Sequence, residues 1–197
     1  MKKLVFIDLD GVIRKEVDLL YKKEDIELVL QAAQAIQKLN AAGYRVIIVT
    51  NQPVVARGFC TLEELYQLNA YTEKLLNDQG ATVDKWYVCP HHPHPERKGK
   101  LGINGPNQQY VIECTCRKPK PGLLLQAIKD HEITDTSNCW MIGDKTSDIK
   151  AAQGAGISNT ILVKTGYGGD DGFNDATPKY TANDLYNAVK TYILKNT

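Results

Sequence analysis

The sequence predicts a three-layer, Rossmann-like α/β fold with a parallel sheet, and three observations carry that prediction. Short apolar, β-branched runs recur along the chain, as strands buried on both faces require. Stretches with apolar residues at three-and-four spacing separate them, as covering helices require. Polar clusters stand at the ends of the runs or the starts of the helices, where open α/β sheets bind their ligands.

Lys3 to Ile7 reads as the first strand and ends at Asp8-Leu9-Asp10-Gly11. Val12 to Glu24 lacks periodicity and reads as a small flap over the strand end. From Asp25, an acidic cap, Ile26, Val29, Leu30, Ala33 and Ile36 predict an amphipathic helix closing at Gly43. Tyr44 to Val49 is a second strand, ending at Thr50-Asn51-Gln52. Thr61 and Glu64 form a capping-box pattern for a helix whose apolar face is Leu65, Tyr66, Leu68, Leu75 and Leu76. Val83 to Val88 is a third strand. Cys89 to Pro121 is too long for an ordinary loop, which marks it as functional or clamped, with Gly99, Gly102 and Gly105 lengthening it. A helix follows from Gly122, then strand Cys139 to Ile142 ending at Gly143-Asp144, a short helix with Ile149, and strand Thr160 to Val163. A last helix is expected from Thr181, with Asp184 completing a capping pattern.

The 197 residues suit one domain, taken here as 1–197, with a loop at 89–116 and no large cap domain. A net charge of +1 gives no basic footprint, so nucleic acid is not an expected partner. The first apolar run is too short for a signal peptide and no segment has membrane-spanning length; a cytoplasmic monomer is expected. Five cysteines without an export signal argue against a disulfide framework.

Asp8 and Asp10, two apart on a strand, project to one side, where like charges repel unless a cation or a shared proton relieves them. Alone, Asp-x-Asp-Gly could be a turn, Thr50 or Asp144 a helix cap, Lys118 a solvated loop charge, and Asp148 a first-turn residue. Together with Arg117-Lys118-Pro119-Lys120-Pro121-Gly122 and Gly143-Asp144-Lys145-Thr146-Ser147-Asp148, they supply the parts of phosphoryl transfer through an aspartyl phosphate. Those parts are a carboxylate nucleophile, a second carboxylate as acid and base, hydroxyl and cationic groups on the phosphoryl oxygens, and acidic ligands for Mg²⁺.

The four motifs, in order from Asp8 to Asp148, resemble the haloacid dehalogenase-like phosphohydrolases. The resemblance implies Asp8 as nucleophile, Asp10 as general acid then base, and Thr50 and Lys118 on the transferred phosphate. It also implies Mg²⁺ held by Asp8, the Asp10 carbonyl and Asp144, with Asp148 orienting them.

Cys89-Pro90-His91 and Cys114-Thr115-Cys116 offer three thiols and an imidazole, a set suited to a closed tetrahedral structural zinc site, with His92 and His94 as competing fourth ligands. Cys60 and Cys139 read as ordinary buried or partly buried thiols. This loop, with Thr50-Asn51-Gln52 and Ala56-Arg57-Gly58, resembles the branch containing D-glycero-D-manno-heptose 1,7-bisphosphate phosphatases and histidinol-phosphate phosphatases. There the motif match implies Zn²⁺ on Cys89, His91, Cys114 and Cys116, and substrate contacts from Asn51, Gln52, Arg117 and Lys145. The chain departs from that branch at Leu9, where Arg is usual, at Pro53, where Ser is common, and in lacking a Gly-Tyr pair after Gly11. The expected substrate is a small phosphorylated molecule, a sugar phosphate first, with histidinol phosphate, a polynucleotide 3′-phosphate and a catalytically silent binding module as rivals.

Overall fold

The computed structural model describes residues 3–96, 100–172 and 175–195. Gly99 lies outside them. Six parallel strands form one sheet: β1 (Leu4–Ile7), β2 (Arg45–Asn51), β3 (Lys85–Cys89), β4 (Cys139–Gly143), β5 (Asn159–Val163) and β6 (Tyr180–Ala182), in the order β3-β2-β1-β4-β5-β6. Ile7 pairs with Ile48 on one side and Ile142 on the other, so the carboxyl ends of β1, β2 and β4 reach one rim together. Strand order reverses beside β1, which places Asp8 at the crevice such sheets open for ligands.

Alternation along the strands makes the three layers. Val5, Ile7, Val46 and Ile48 face α1 (Ala32–Ala41) and α5 (Leu185–Ala188), whereas Leu4, Phe6, Ile47, Val49 and Met141 face α3 (Gly122–Asp130) and α4 (Thr146–Gly154). Helix α2 (Leu62–Asn77) carries the predicted capping box, with Glu64 N–H donating to Thr61 Oγ1 and Thr61 N–H to Glu64 Oε2.

Three sequence readings are corrected. Helix α1 begins at Ala32, not at Asp25, because 27–29 pairs with the flap instead: Lys15 N–H donates to Glu27 O and Val29 N–H to Ile13 O. Leu30, counted on the helix face, is 82 % exposed. Thr181 lies within β6, and Asp184 is itself the cap of the last helix, accepting from Asn187 N–H at 2.7 Å. On α2, Tyr66 is exposed, while Asn69 and Thr72 are buried, Thr72 against Arg14 of the flap. The flap is irregular, as expected, and its Leu20 packs with Ile26, just beyond it, against Leu68. No described helix is long and apolar enough to cross a membrane.

Candidate active site and metal centres

Asp8 follows β1 directly, its N–H bonded to Ile142 O at 2.9 Å, and only 4 % of it is exposed. Gly11 then turns the chain with φ +83°, a conformation side chains resist, and a Cβ there would lie 2.4 Å from Asp144 Oδ2. Glycine therefore lets the first loop close down on the end of β4. Lys118 arrives from the long loop, 4 % exposed, with Nζ 2.8 Å from Asp8 Oδ1, 2.6 Å from Asp148 Oδ1 and 2.7 Å from Val49 O. Burial alone would lower its pKa; Asp148 and Asp8 outweigh burial and raise it, so the ammonium stays charged.

Asp8, Asp144 and Asp148 are all buried and bring carboxylate oxygens within 4.8 Å of one another. Burial and the Asp8 charge push the Asp144 carboxyl up to about 8, and its Oδ1 is enclosed without a hydrogen bond. An orphaned oxygen among crowded acids is what a hard divalent cation relieves, so the donor set fits Mg²⁺. Asp144 is aimed by the loop after β5: Tyr167 N–H donates to its Oδ2 at 2.8 Å and Gly169 N–H to its carbonyl at 2.7 Å. Asp171, on the same loop, accepts from Thr146 and Ser147 N–H and so caps α4 beside the site.

The Asp10 side chain turns away from the acid cluster. Its Oδ1 accepts from Arg14 Nε at 2.5 Å and its Oδ2 from Gln52 Nε2 at 2.7 Å, and Gln52 also donates to Thr50 Oγ1 at 2.9 Å. Asn51, an expected substrate contact, is engaged with Lys118. Its Nδ2 donates to Lys118 O and its Oδ1 accepts from Lys118 N–H, both at 3.0 Å, which fastens the lysine's backbone to β2.

The expected catalytic and substrate-binding residues meet around one cavity of about 570 Å³, lined by Asp8, Asp10, Thr50, Lys118, Arg117 and Lys145 among others, while Asp144 is fully buried and is not part of its lining. Lys145 Nζ lies 3.2 Å from Glu16 Oε2 and 4.3 Å from the centre of the Tyr167 ring. Arg117 lines the cavity with Nη1 on His91 O at 3.2 Å. Sequence reasoning missed Arg14, Glu16, Tyr167 and Asp171, which reach the site from loops without a motif.

Cys89, His91, Cys114 and Cys116 form a second group within 4.8 Å, with Sγ to Sγ distances of 3.7 Å (Cys89 to Cys114) and 3.1 Å (Cys89 to Cys116) and His91 Nδ1 3.3 Å from Cys116 Sγ. Thiolates about 2.3 Å from a tetrahedral Zn²⁺ stand about 3.7 Å apart, so the set fits that ion with small adjustment. Cys116 is pushed down to about 5 by the hydrogen bond it shares with Cys89, against burial, and by His91, which favours the thiolate a metal needs. His92 and His94 stand outside the group; His92 Nδ1 accepts from His94 N–H and His92 lines the cavity. The loop is fastened a second time by Arg57, whose Nη1 reaches Pro95 O at 2.7 Å and Lys100 O at 3.2 Å.

Residues 115–188 match a family model described as HAD-hydrolase-like. The chain is 40 % identical over 166 residues to the D-glycero-beta-D-manno-heptose-1,7-bisphosphate 7-phosphatase of Pasteurella multocida, covering 84 % of each. The chain belongs to the haloacid dehalogenase-like hydrolases. This HAD-like hydrolase is also 34 % identical to the D-glycero-D-manno-heptose-1,7-bisphosphate 7-phosphatase of Chlorobaculum tepidum, over 98 % of the chain and 94 % of that protein. Its fold superposes on the D,D-heptose 1,7-bisphosphate phosphatase of B. bronchiseptica, solved with magnesium and phosphate, with a TM-score of 0.80, 26 % identity and 98 % and 99 % coverage. It is accordingly a phosphatase, a phosphoric monoester hydrolase of that family.

Proposed function

We propose that this phosphatase removes the 7-phosphate of D-glycero-D-manno-heptose 1,7-bisphosphate through a phosphorylated Asp8. The observation that carries the reading is the Asp8–Lys118–Asp148 cluster at the rim of β1, in a chain 34 % identical to a heptose-bisphosphate phosphatase over 98 % of its length.

Asp8 Oδ attacks phosphorus, and Asp10 gives its proton to the departing sugar oxygen. The Asp10 carboxylate then takes a proton from the water that attacks phospho-Asp8, releasing phosphate and restoring both acids. Lys118 and Thr50 hold the phosphoryl oxygens throughout. Asp8, the Asp10 carbonyl and Asp144 would hold Mg²⁺, which supplies charge neutralisation for an anionic phosphate approaching a carboxylate. Lys145 and Arg117 line the same cavity as Asp8 and take the remainder of the substrate, while Asn51 and Gln52 hold Lys118, Asp10 and Thr50 in place. Zn²⁺ on Cys89, His91, Cys114 and Cys116 would brace the loop that carries Arg117.

A turnover screen tests the substrate. The α and β anomers of the heptose bisphosphate, histidinol phosphate, a 3′-phosphorylated oligonucleotide and p-nitrophenyl phosphate are compared by kcat/KM. One heptose anomer is expected to lead; no advantage of phosphosugars over p-nitrophenyl phosphate would remove the sugar-phosphate assignment.

A further inference from the structure

Arg14 is 0 % exposed, and a guanidinium cut off from water is tolerated only where acceptors surround it. The fold supplies them at one place. Nε and Nη2 make a fork onto the two oxygens of Asp10, at 2.5 and 3.3 Å, and Nη1 faces Thr72 Oγ1 on α2 at 3.5 Å. The Thr72 hydroxyl donates to Leu68 O at 3.1 Å, so its oxygen is left to accept from the arginine.

The backbone is built to hold that fork although no helix links Asp10 to Arg14. Arg14 N–H returns to Leu9 O at 3.0 Å and Gly11 N–H to Arg14 O at 2.8 Å, which closes a tight loop around the pair. On either side of Arg14 the flap is bonded to 27–29, so the arginine is fixed from both ends. A carboxylate on two free torsions has no preferred direction; one gripped by a planar fork has its plane set.

We propose that Arg14 is a positioning residue for the departure of the leaving group: it fixes the plane and direction of the Asp10 carboxyl toward the oxygen that leaves phosphorus. Arg14 itself does not line the cavity. The proposal rests on the acid role of Asp10 given above. It gives a use to the flap, whose Arg14 is absent from the motifs that mark the site.

Its consequence is a dependence on the leaving group. An ester whose leaving oxygen is strongly basic needs a well-aimed proton, and one that leaves as a stable anion does not. Phenyl phosphate and p-nitrophenyl phosphate differ in this respect and offer nothing else to bind, so the comparison does not depend on the natural substrate. In the full-length protein with Mg²⁺, Arg14→Met is expected to lower kcat/KM about 10–10²-fold on phenyl phosphate and under about threefold on p-nitrophenyl phosphate, a fraction of the range for a positioned acid. Arg14→Lys should fall between wild type and Arg14→Met, keeping the charge without the fork. Thr72→Val, remote from the cavity, should show the same selective loss more weakly and decides the matter if Arg14→Met does not fold. Equal losses on both esters, or none, would overturn the role of Arg14. Asp10→Asn run alongside separates the two readings: if it too lacks leaving-group selectivity, the acid role of Asp10 fails and takes this proposal with it; if it is selective and the Arg14 and Thr72 variants are not, only the proposal fails.

Discussion

Replacing Lys118 by Met should cripple catalysis and, without Mg²⁺, the fold as well. The ammonium stands 2.8 Å from Asp8 and 2.6 Å from Asp148, with Asp144 in the same acid cluster. Unit charges about 3 Å apart at an effective dielectric near 20 attract by ~5–6 kcal/mol, so the two contacts together give ~11 kcal/mol against a desolvation cost of several kcal/mol per buried ion. Removing one partner of such a group leaves the carboxylates uncompensated, which costs about 3–5 kcal/mol. Urea melts in EDTA should show that loss. Mg²⁺ should recover more stability in the variant than in wild type, because the ion then replaces part of the missing charge. Losing a donor to the transferred phosphoryl group should cut kcat on p-nitrophenyl phosphate by about 10²–10³-fold. A variant within about 1 kcal/mol of wild type in EDTA, or with wild-type kcat, would refute this account of the cluster.

Asp8→Asn should abolish turnover, since an amide cannot attack phosphorus, while Asp10→Asn should lose roughly 10²–10⁴-fold; residual wild-type activity in the first would contradict a covalent step. Asp144 titrates near 8, raised by burial and by Asp8, and Asp148 near 6, raised by burial against the pull of Lys118. Both folded values exceed the unfolded ones, so the folded chain binds extra protons between the ordinary carboxylate range and about 8, and stability in EDTA should fall as pH rises through that window. Mg²⁺ should therefore raise Tm more at about pH 8 than at about pH 5, and an equal rise at both would count against the cluster. Metal analysis of reduced protein prepared without chelators should find about one Zn²⁺ per chain. Cys114→Ser or Cys116→Ser should loosen the loop and depress turnover of the sugar phosphate more than that of p-nitrophenyl phosphate; full activity without zinc would dispose of the clamp.

The sheet and much of the site were legible because they rest on local signals. Buried runs ending in Asp8, Thr50 and Gly143 could be read as strand ends, and a Cys/His pair and a Cys/Cys pair flanking a loop too long for its surroundings could be read as one cluster. What stayed hidden depends on long-range competition. Residues 25–31 have helical spacing, but the flap offers their backbone a strand-like partner, and no periodicity records an offer made from elsewhere in the chain. Arg14 and Asp10 stand four apart without a helix, and only the tight turn at Gly11 brings them together. Asn51 carried the family motif, yet which atom its amide would hold was decided by a loop arriving 67 residues later.

That clasp has a mechanical meaning. The loop that carries the Cys/His cluster springs from β3, an edge strand, whereas Asp8 and Thr50 stand at the carboxyl ends of the inner strands β1 and β2. Asn51 ties Lys118 to the inner frame just where the loop ends. It works as a strain relief on a cable: tugging, lengthening or rebuilding everything upstream leaves the terminal connection still. Such a chassis lets the periphery be refitted for another alcohol while the hydrolytic centre stays the same, and Asn51 is the fastener on which that independence hangs.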